Sequence, residues 1–358
     1  MTQTVHLHIG EPKTGTTYIQ AMLFHHQRQL HEAGLLVPGR NLDHIRGGHD
    51  VLGRTKTAGT HETEGAWQKL SDEIAASPLP HAVISMEMMT RARPRQAARA
   101  IKDLPSDRAV RVVITARELS RLAPARWQES VQFRKSWTLE EYLTGVFEQP
   151  REREAGAAKH FWGLHDTPRT VETWASEVGL DNVTVVTLPP SGSSPDQLWL
   201  RFGEALGVEL DGFSEAEQAN ASLGSASAEV MRRLNLALTD LDVGEAEHAR
   251  ICRKFLGKTV LPQLRRNEPT VAMPAPFRAT SRKVSEDLVA ELRQSGVRVV
   301  GDLAELLPAT DAPEPEPATD SQMLDAALTA LAALVEQNAQ LARKARRRGR
   351  DLPFAEVE

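Results

Sequence analysis

The sequence predicts an α/β protein built on a doubly wound parallel sheet flanked by helices, with a C-terminal helical tail. Two observations point there. Short, nearly continuous apolar runs alternate with stretches of helical spacing; runs of that kind suit strands buried on both faces. The first of them also ends in a glycine-bounded loop leading straight into a helix. At 358 residues, 41% hydrophobic and 25% charged, the chain can bury one large core and leave some length for an appendage.

The first strand is Val5-His6-Leu7-His8-Ile9, alternating and rich in β-branched residues. It breaks at Gly10 and Pro12, and a helical pattern restarts after Gly15. Such a strand, loop and helix N-terminus form a cradle for phosphate, because loop N–H groups and the positive end of the helix dipole face one anion. The nucleoside-triphosphate loop reads GxxxxGK[ST]. Gly10 and Gly15 keep that glycine spacing, but Thr16 follows Gly15 and the lysine comes earlier, at Lys13. An ordinary strand-turn-helix connection is the plainer alternative.

Pro12-Lys13-Thr14-Gly15-Thr16-Thr17 closely resembles the 5′-phosphosulfate loop of sulfotransferases, Pro-Lys-(Ser/Thr)-Gly-Thr-(Thr/Ser). The resemblance implies a P-loop NTPase-like body over residues 1–307 and 3′-phosphoadenosine 5′-phosphosulfate as co-substrate. It also implies that Lys13 neutralises charge on the leaving nucleotide, while Thr16, Thr17 and the loop amides hold the 5′-phosphate.

Beyond the loop, Ile19, Met22, Leu23 and Leu30 mark a helix from Thr16 to about Ala33, stopped by Gly34. Its His25, His26 and His31 lack the HExxH pattern and read as exposed or capping residues. Residues 34–62 show no clear periodicity and read as a long loop. Within it His49 is a candidate acceptor contact, or a plain surface residue. A helix follows over 65–76, then a second core strand over 81–87. Ligands gather at the carboxyl ends of such strands, and Glu87 lies there. Sulfotransferases commonly place the catalytic base at this point, so the resemblance implies Glu87 as base. A strand-end cap or salt bridge is the alternative.

The third strand, 108–116, runs into Arg117. The family pattern puts an arginine here, and a serine eight residues on, to hold the donor's 3′-phosphate. Arg117 fits, and its planar fork suits phosphate. Ala125 stands where the serine would be. Arg121, one turn after Arg117, and Ser120 are candidate substitutes; a solvated helix face is the other reading. Helices follow to residue 147, with a charged break over 150–156. The cluster Lys159–Asp166 either lines an acceptor or adenine pocket or packs as aromatic core. A helix (168–178), a strand (182–188) and a helix (195–206) complete the alternation. Two helices are expected at 226–241 and 245–257. The basic segment 276–283 is comparable to the late loop that closes over the nucleotide in sulfotransferases, but lacks its glycines. A helix (284–296) and a last apolar run (297–302) end the body.

Residues 308–321, rich in proline and acid, read as a linker. In the segment 322–358, Leu324, Leu328, Leu331, Val335 and Asn338 follow the four-three spacing of a coiled-coil seam. It ends in the basic run 343–350, suited to self-association, a partner, or an anionic surface.

A net charge of -5 argues against a general nucleic-acid binder. The lone Cys252 excludes an intramolecular disulfide and a thiolate metal cluster. No signal peptide or membrane-spanning run is evident, so a cytoplasmic location is expected. The expected function is sulfuryl transfer, without a metal, to a small-molecule, glycan or lipid acceptor. An ATP-dependent P-loop kinase, or an inactive nucleotide-binding scaffold working through its tail helix, are the alternatives.

Overall fold

A computed structural model describes residues 3–57, 61–149, 151, 155–213, 222–309 and 314–347. Its strands are β1 (Thr4–His8), β2 (Leu35–Leu36), β3 (His81–Ser85), β4 (Ala109–Ala116), β5 (Val183–Thr187) and β6 (Arg298–Val300). They form one sheet in the order β2-β3-β1-β4-β5-β6, and every pairing is parallel. The doubly wound α/β class is therefore as the sequence predicts.

Alternation along the strands builds two cores. Leu7, Ile84, Val112, Ile114 and Val185 point into one, packed with Trp67, Ile74 and Trp174. Val83, Val113, Val186 and Val300 point into the other, against Ile19, Leu23, Trp199 and Phe202. Each such side chain contributes roughly 1.5–3 kcal/mol by leaving water. The alternation of β1 does not mean one wet face, because His6 and His8 are fully buried too.

The strand order sets the site. After β1 the chain leaves toward β2; after β4 it leaves toward β5. Adjacent strands whose connections depart in opposite directions open a crevice at their carboxyl ends. The β1 and β4 ends form that crevice, and they carry the loop with Lys13 and the residue Arg117.

The sequence reading needs correction at several elements. The helix expected over 16–33 is two, α1 (Thr16–His25) and Gln27–Glu32, parted at His26. The expected loop 34–62 contains β2 and a helix, Asn41–Val51. Gly47 and Gly48 hid it, since glycine disfavours helix by about 1 kcal/mol. Packing demands them: a Cβ on Gly47 would sit 2.8 Å from Leu70, and one on Gly48 would overlap Met86. The segment 276–283 is no loop but the start of the helix Ala275–Ser295, tied by the pairs Arg282–Glu286 and Lys283–Asp287. The run 249–260 is π-helical.

Two compact units emerge. One comprises residues 1–126, 139–219 and 272–314, and includes the whole sheet. The other comprises residues 127–138, 220–271 and 315–358; in it the helix Ser225–Ala237 packs on the helix Asp320–Arg347. Parts of the expected break 150–156, of the linker (310–313) and of the basic tail (348–358) lie outside the described residues.

Candidate functional site

The turn after β1 has the backbone of an anion cradle. Gly10, Lys13 and Gly15 adopt left-handed φ values of 98°, 66° and 83°. Gly15 then serves as N-cap of α1, so the loop empties into a helix N-terminus. Left-handed geometry at a lysine is uncommon and costs free energy; here it belongs to the loop that sequence alone singles out. Gly10 is required by contact as well, for a Cβ there would lie 2.8 Å from the Cα of Glu87.

The loop is stitched to β4. Glu11 N–H donates to Thr115 O at 2.8 Å, and Thr115 N–H donates to Gly10 O. The Thr14 hydroxyl is turned inward, bonded to Glu11 O and, at 2.6 Å, to Thr115 Oγ1. Below it His8 Nδ1 meets Ser85 Oγ at 2.8 Å, and burial drives the His8 pKa down to about 3. A neutral, hydrogen-bonded layer therefore underlies the loop.

Glu87 begins the 3-10 helix Glu87–Arg91, directly beyond β3. Its carboxylate accepts a hydrogen bond from the Thr16 hydroxyl on the first turn of α1. Lys13, Thr16 and Glu87 thus belong to one neighbourhood, with Pro12 buried and Thr17 exposed at the loop's end. Arg117 joins it from β4: its Nη1 donates to Lys13 O at 3.2 Å. Burial, then the nearby Arg121, lower its pKa to about 10. Its Nε is buried with no hydrogen-bond partner. Ser120 and Arg121 are instead engaged by Glu118, at 3.0 Å and 3.6 Å. His49 is buried on the helix Asn41–Val51 rather than displayed on a loop; its Nδ1 meets Arg54 Nη1 at 3.4 Å.

Sequence reasoning missed the acid inside the loop. Glu11 is fully enclosed, accepting from Thr167 Oγ1 at 2.6 Å and lying 3.2 Å from His165 Nδ1. Burial pushes Glu11 up to about 8 and His165 well below its usual range. Both shifts favour the uncharged forms, a protonated Glu11 beside a neutral His165. The signal was available: a glutamate between Gly10 and Pro12 contradicts an anion loop unless it is neutral.

No protein-family model and no curated protein sequence matches this chain. A sulfotransferase from Alicyclobacillus acidocaldarius is similar in structure. The match has 16% identity and a TM-score of 0.40, over 69% of this chain and 95% of that one. Among the described residues, no helix is long and apolar enough to cross a membrane.

Glu11 makes a pH prediction. Its folded pKa lies above the unfolded value of 4.5. Its contribution to stability is thus complete below that value and is lost as pH rises toward about 8. His165 acts oppositely but only up to its unfolded 6.5, so between pH 6.5 and 8 Glu11 acts alone in this pair. Glu11→Gln, which keeps both hydrogen bonds, is expected to remove about 2 kcal/mol of pH-dependent loss across that window. Chemical denaturation of both proteins at the two pH values measures it; identical slopes would refute the neutral-acid assignment.

Proposed function

We propose that this chain transfers a sulfuryl group from 3′-phosphoadenosine 5′-phosphosulfate to a hydroxyl or amine of an acceptor. The observation that carries this reading is the arrangement of Lys13 and Glu87 about a single anion-cradling loop. One supplies positive charge where a phosphate would rest; the other is a carboxylate held against the loop by Thr16. The residues present fit such a donor. Left-handed Lys13 and Gly15 shape the concavity, and Arg117 offers a part-buried guanidinium beside it.

In this reading the donor supplies the sulfuryl group and a phosphate leaving group. The loop amides, with Thr16 and Thr17, hold the 5′-phosphate. Lys13 stabilises the charge that grows as the sulfur–oxygen bond to phosphate breaks. Arg117 takes the 3′-phosphate, with Ser120 and Arg121 available only if Glu118 releases them. Glu87 orients the acceptor and takes its proton as the new bond to sulfur forms. An ATP-dependent kinase would place lysine directly after Gly15; Thr16 stands there and is bonded to Glu87.

Incubation with donor labelled in its sulfuryl group and a panel of phenols, saccharides and lipid alcohols tests the reading. Label in an acceptor supports it; ATP-dependent phosphorylation of the same panel would replace it.

We also assign the tail helix to pairing with a second copy. In the helix Asp320–Arg347, Ala326 and Ala330 are buried, whereas Leu324, Leu328, Leu331 and Val335 are each more than half exposed at four-three spacing. Asp320 and Asp325 mark one end, Arg343 and Lys344 the other, so an antiparallel pair matches opposite charges. Sedimentation should give a dimer at tens of micromolar, and the double variant Leu328→Glu/Leu331→Glu a monomer. A monomeric wild type would contradict the assignment.

A further inference from the structure

A small cavity borders the acid beneath the loop. Glu11, Arg117, His165, Thr167 and Ser285 supply its polar wall, and apolar side chains complete it. All of them belong to the unit that holds the sheet. Glu11 is satisfied there by Thr167 Oγ1 and His165 Nδ1. Three of the lining residues, however, each keep a buried atom with no hydrogen-bond partner among the described residues: His165 Nε2, Ser285 Oγ and Arg117 Nε.

Ser285 is the residue that gives the cavity a meaning. It stands on the inward face of the helix Ala275–Ser295, among Phe277, Leu288 and Leu292, and is 1% exposed. A serine inside a helix commonly returns its hydroxyl to the carbonyl four residues back; Ser285 does not. A buried hydroxyl or guanidinium N–H without a partner costs free energy, and here both belong to residues around one space. That space offers about 10 Å3 to the centre of a water molecule, close to what one buried water needs, and such waters typically take about three polar partners. Water also suits the chemistry of the wall. Arg117 Nε only donates, the serine hydroxyl does either, and a neutral His165 presents one donor or one acceptor at Nε2. Water meets all three, whereas a cation would be repelled by the guanidinium and a phosphate or sulfate would not fit.

We propose that the cavity binds one water, shared by Ser285 Oγ, His165 Nε2 and Arg117 Nε, and that through it Ser285 is a positioning residue for Arg117. The second half rests on the reading that Arg117 takes the donor's 3′-phosphate. A guanidinium is planar, so two fixed points set it: Nη1 on Lys13 O at 3.2 Å, and Nε on the water. Its remaining N–H groups are then oriented before a nucleotide arrives, which lowers the cost of binding phosphate.

A crystal structure of the full chain tests the site. It should show one water within about 3.2 Å of Ser285 Oγ and Arg117 Nε; no water there, or one that bonds neither atom, would overturn the proposal. Calorimetric titration with adenosine 3′,5′-bisphosphate and adenosine 5′-monophosphate tests the role. Ser285→Ala removes the hydroxyl, and Ser285→Val also fills the space. In both, the bisphosphate should bind about three- to tenfold more weakly, the value of one hydrogen bond, and the monophosphate within about twofold of wild type. Ser281→Ala is the control: Ser281 is likewise buried and unbonded one turn earlier but does not line the cavity, so both affinities should stay unchanged. Equal losses for the two nucleotides would show a merely structural role, and undiminished bisphosphate affinity in both Ser285 variants would show none; either result overturns the positioning. If wild type binds no bisphosphate, the sulfotransferase reading falls and takes the positioning role with it, while the crystal structure still decides the water site.

Discussion

Replacing Lys13 by alanine is expected to weaken binding of adenosine 3′,5′-bisphosphate by 10- to 100-fold, and to slow transfer by a further factor of roughly a hundred or more. The first figure follows from losing a charge-assisted contact of about 1.5–3 kcal/mol. The second follows because charge on the leaving phosphate grows during the reaction, so the lysine is worth more in the transition state than in the ground state. The fold should survive, and alanine dislikes the left-handed φ of 66° no more than lysine does. Lys13→Gly separates the two effects: it relieves backbone strain yet also removes the charge, so it should melt higher than Lys13→Ala while remaining as inactive. Calorimetry and initial rates on the two variants measure this. Full activity in Lys13→Gly would show that the loop's shape, not its charge, matters.

Glu87→Gln should reduce the transfer rate by about 10²- to 10⁴-fold, with bisphosphate affinity changed by no more than about threefold. Glutamine can still accept the Thr16 hydrogen bond that the carboxylate accepts now, so the loop keeps its support and only the proton acceptor is lost. Raising pH should not restore the rate. If bisphosphate affinity falls as far as the rate does, Glu87 is a strut of the loop rather than the base.

The turn after β1 and the strands of the sheet were legible because their signals are local. Gly10, Lys13 and Gly15 announce a turn, and apolar runs announce strands. What lay beneath them was not legible, since it joins residues far apart in sequence. Glu11 meets His165 and Thr167 from the far side of the chain, and His8 meets Ser85 across the sheet. The helix Asn41–Val51 was hidden by glycines whose reason is tertiary: Trp67, Leu70 and Met86 come too close for side chains. His49 was read as a loop residue for that cause. The cluster Lys159–Asp166 was read as pocket lining or as aromatic core, and its aromatic residues follow the core reading. Phe161 and Trp162 are buried in the core, while His165 reaches the loop acid.

Glu11 also bears on the site's pH range. While neutral it adds no negative charge to the loop; ionised, above about pH 8, it would set a buried negative charge beside the site proposed for the phosphate. Donor binding should therefore weaken in alkaline solution.

The central claim is that the crevice between β1 and β4 reads a nucleotide by its 3′-phosphate. Calorimetric titration of wild type with adenosine 3′,5′-bisphosphate, adenosine 5′-monophosphate and magnesium-ATP tests it most directly. The account predicts that the bisphosphate binds at least about tenfold tighter than either competitor, the lower end of the value of a charge-assisted phosphate contact at Arg117. Equal affinity for the monophosphate, or tighter binding of magnesium-ATP, would contradict it.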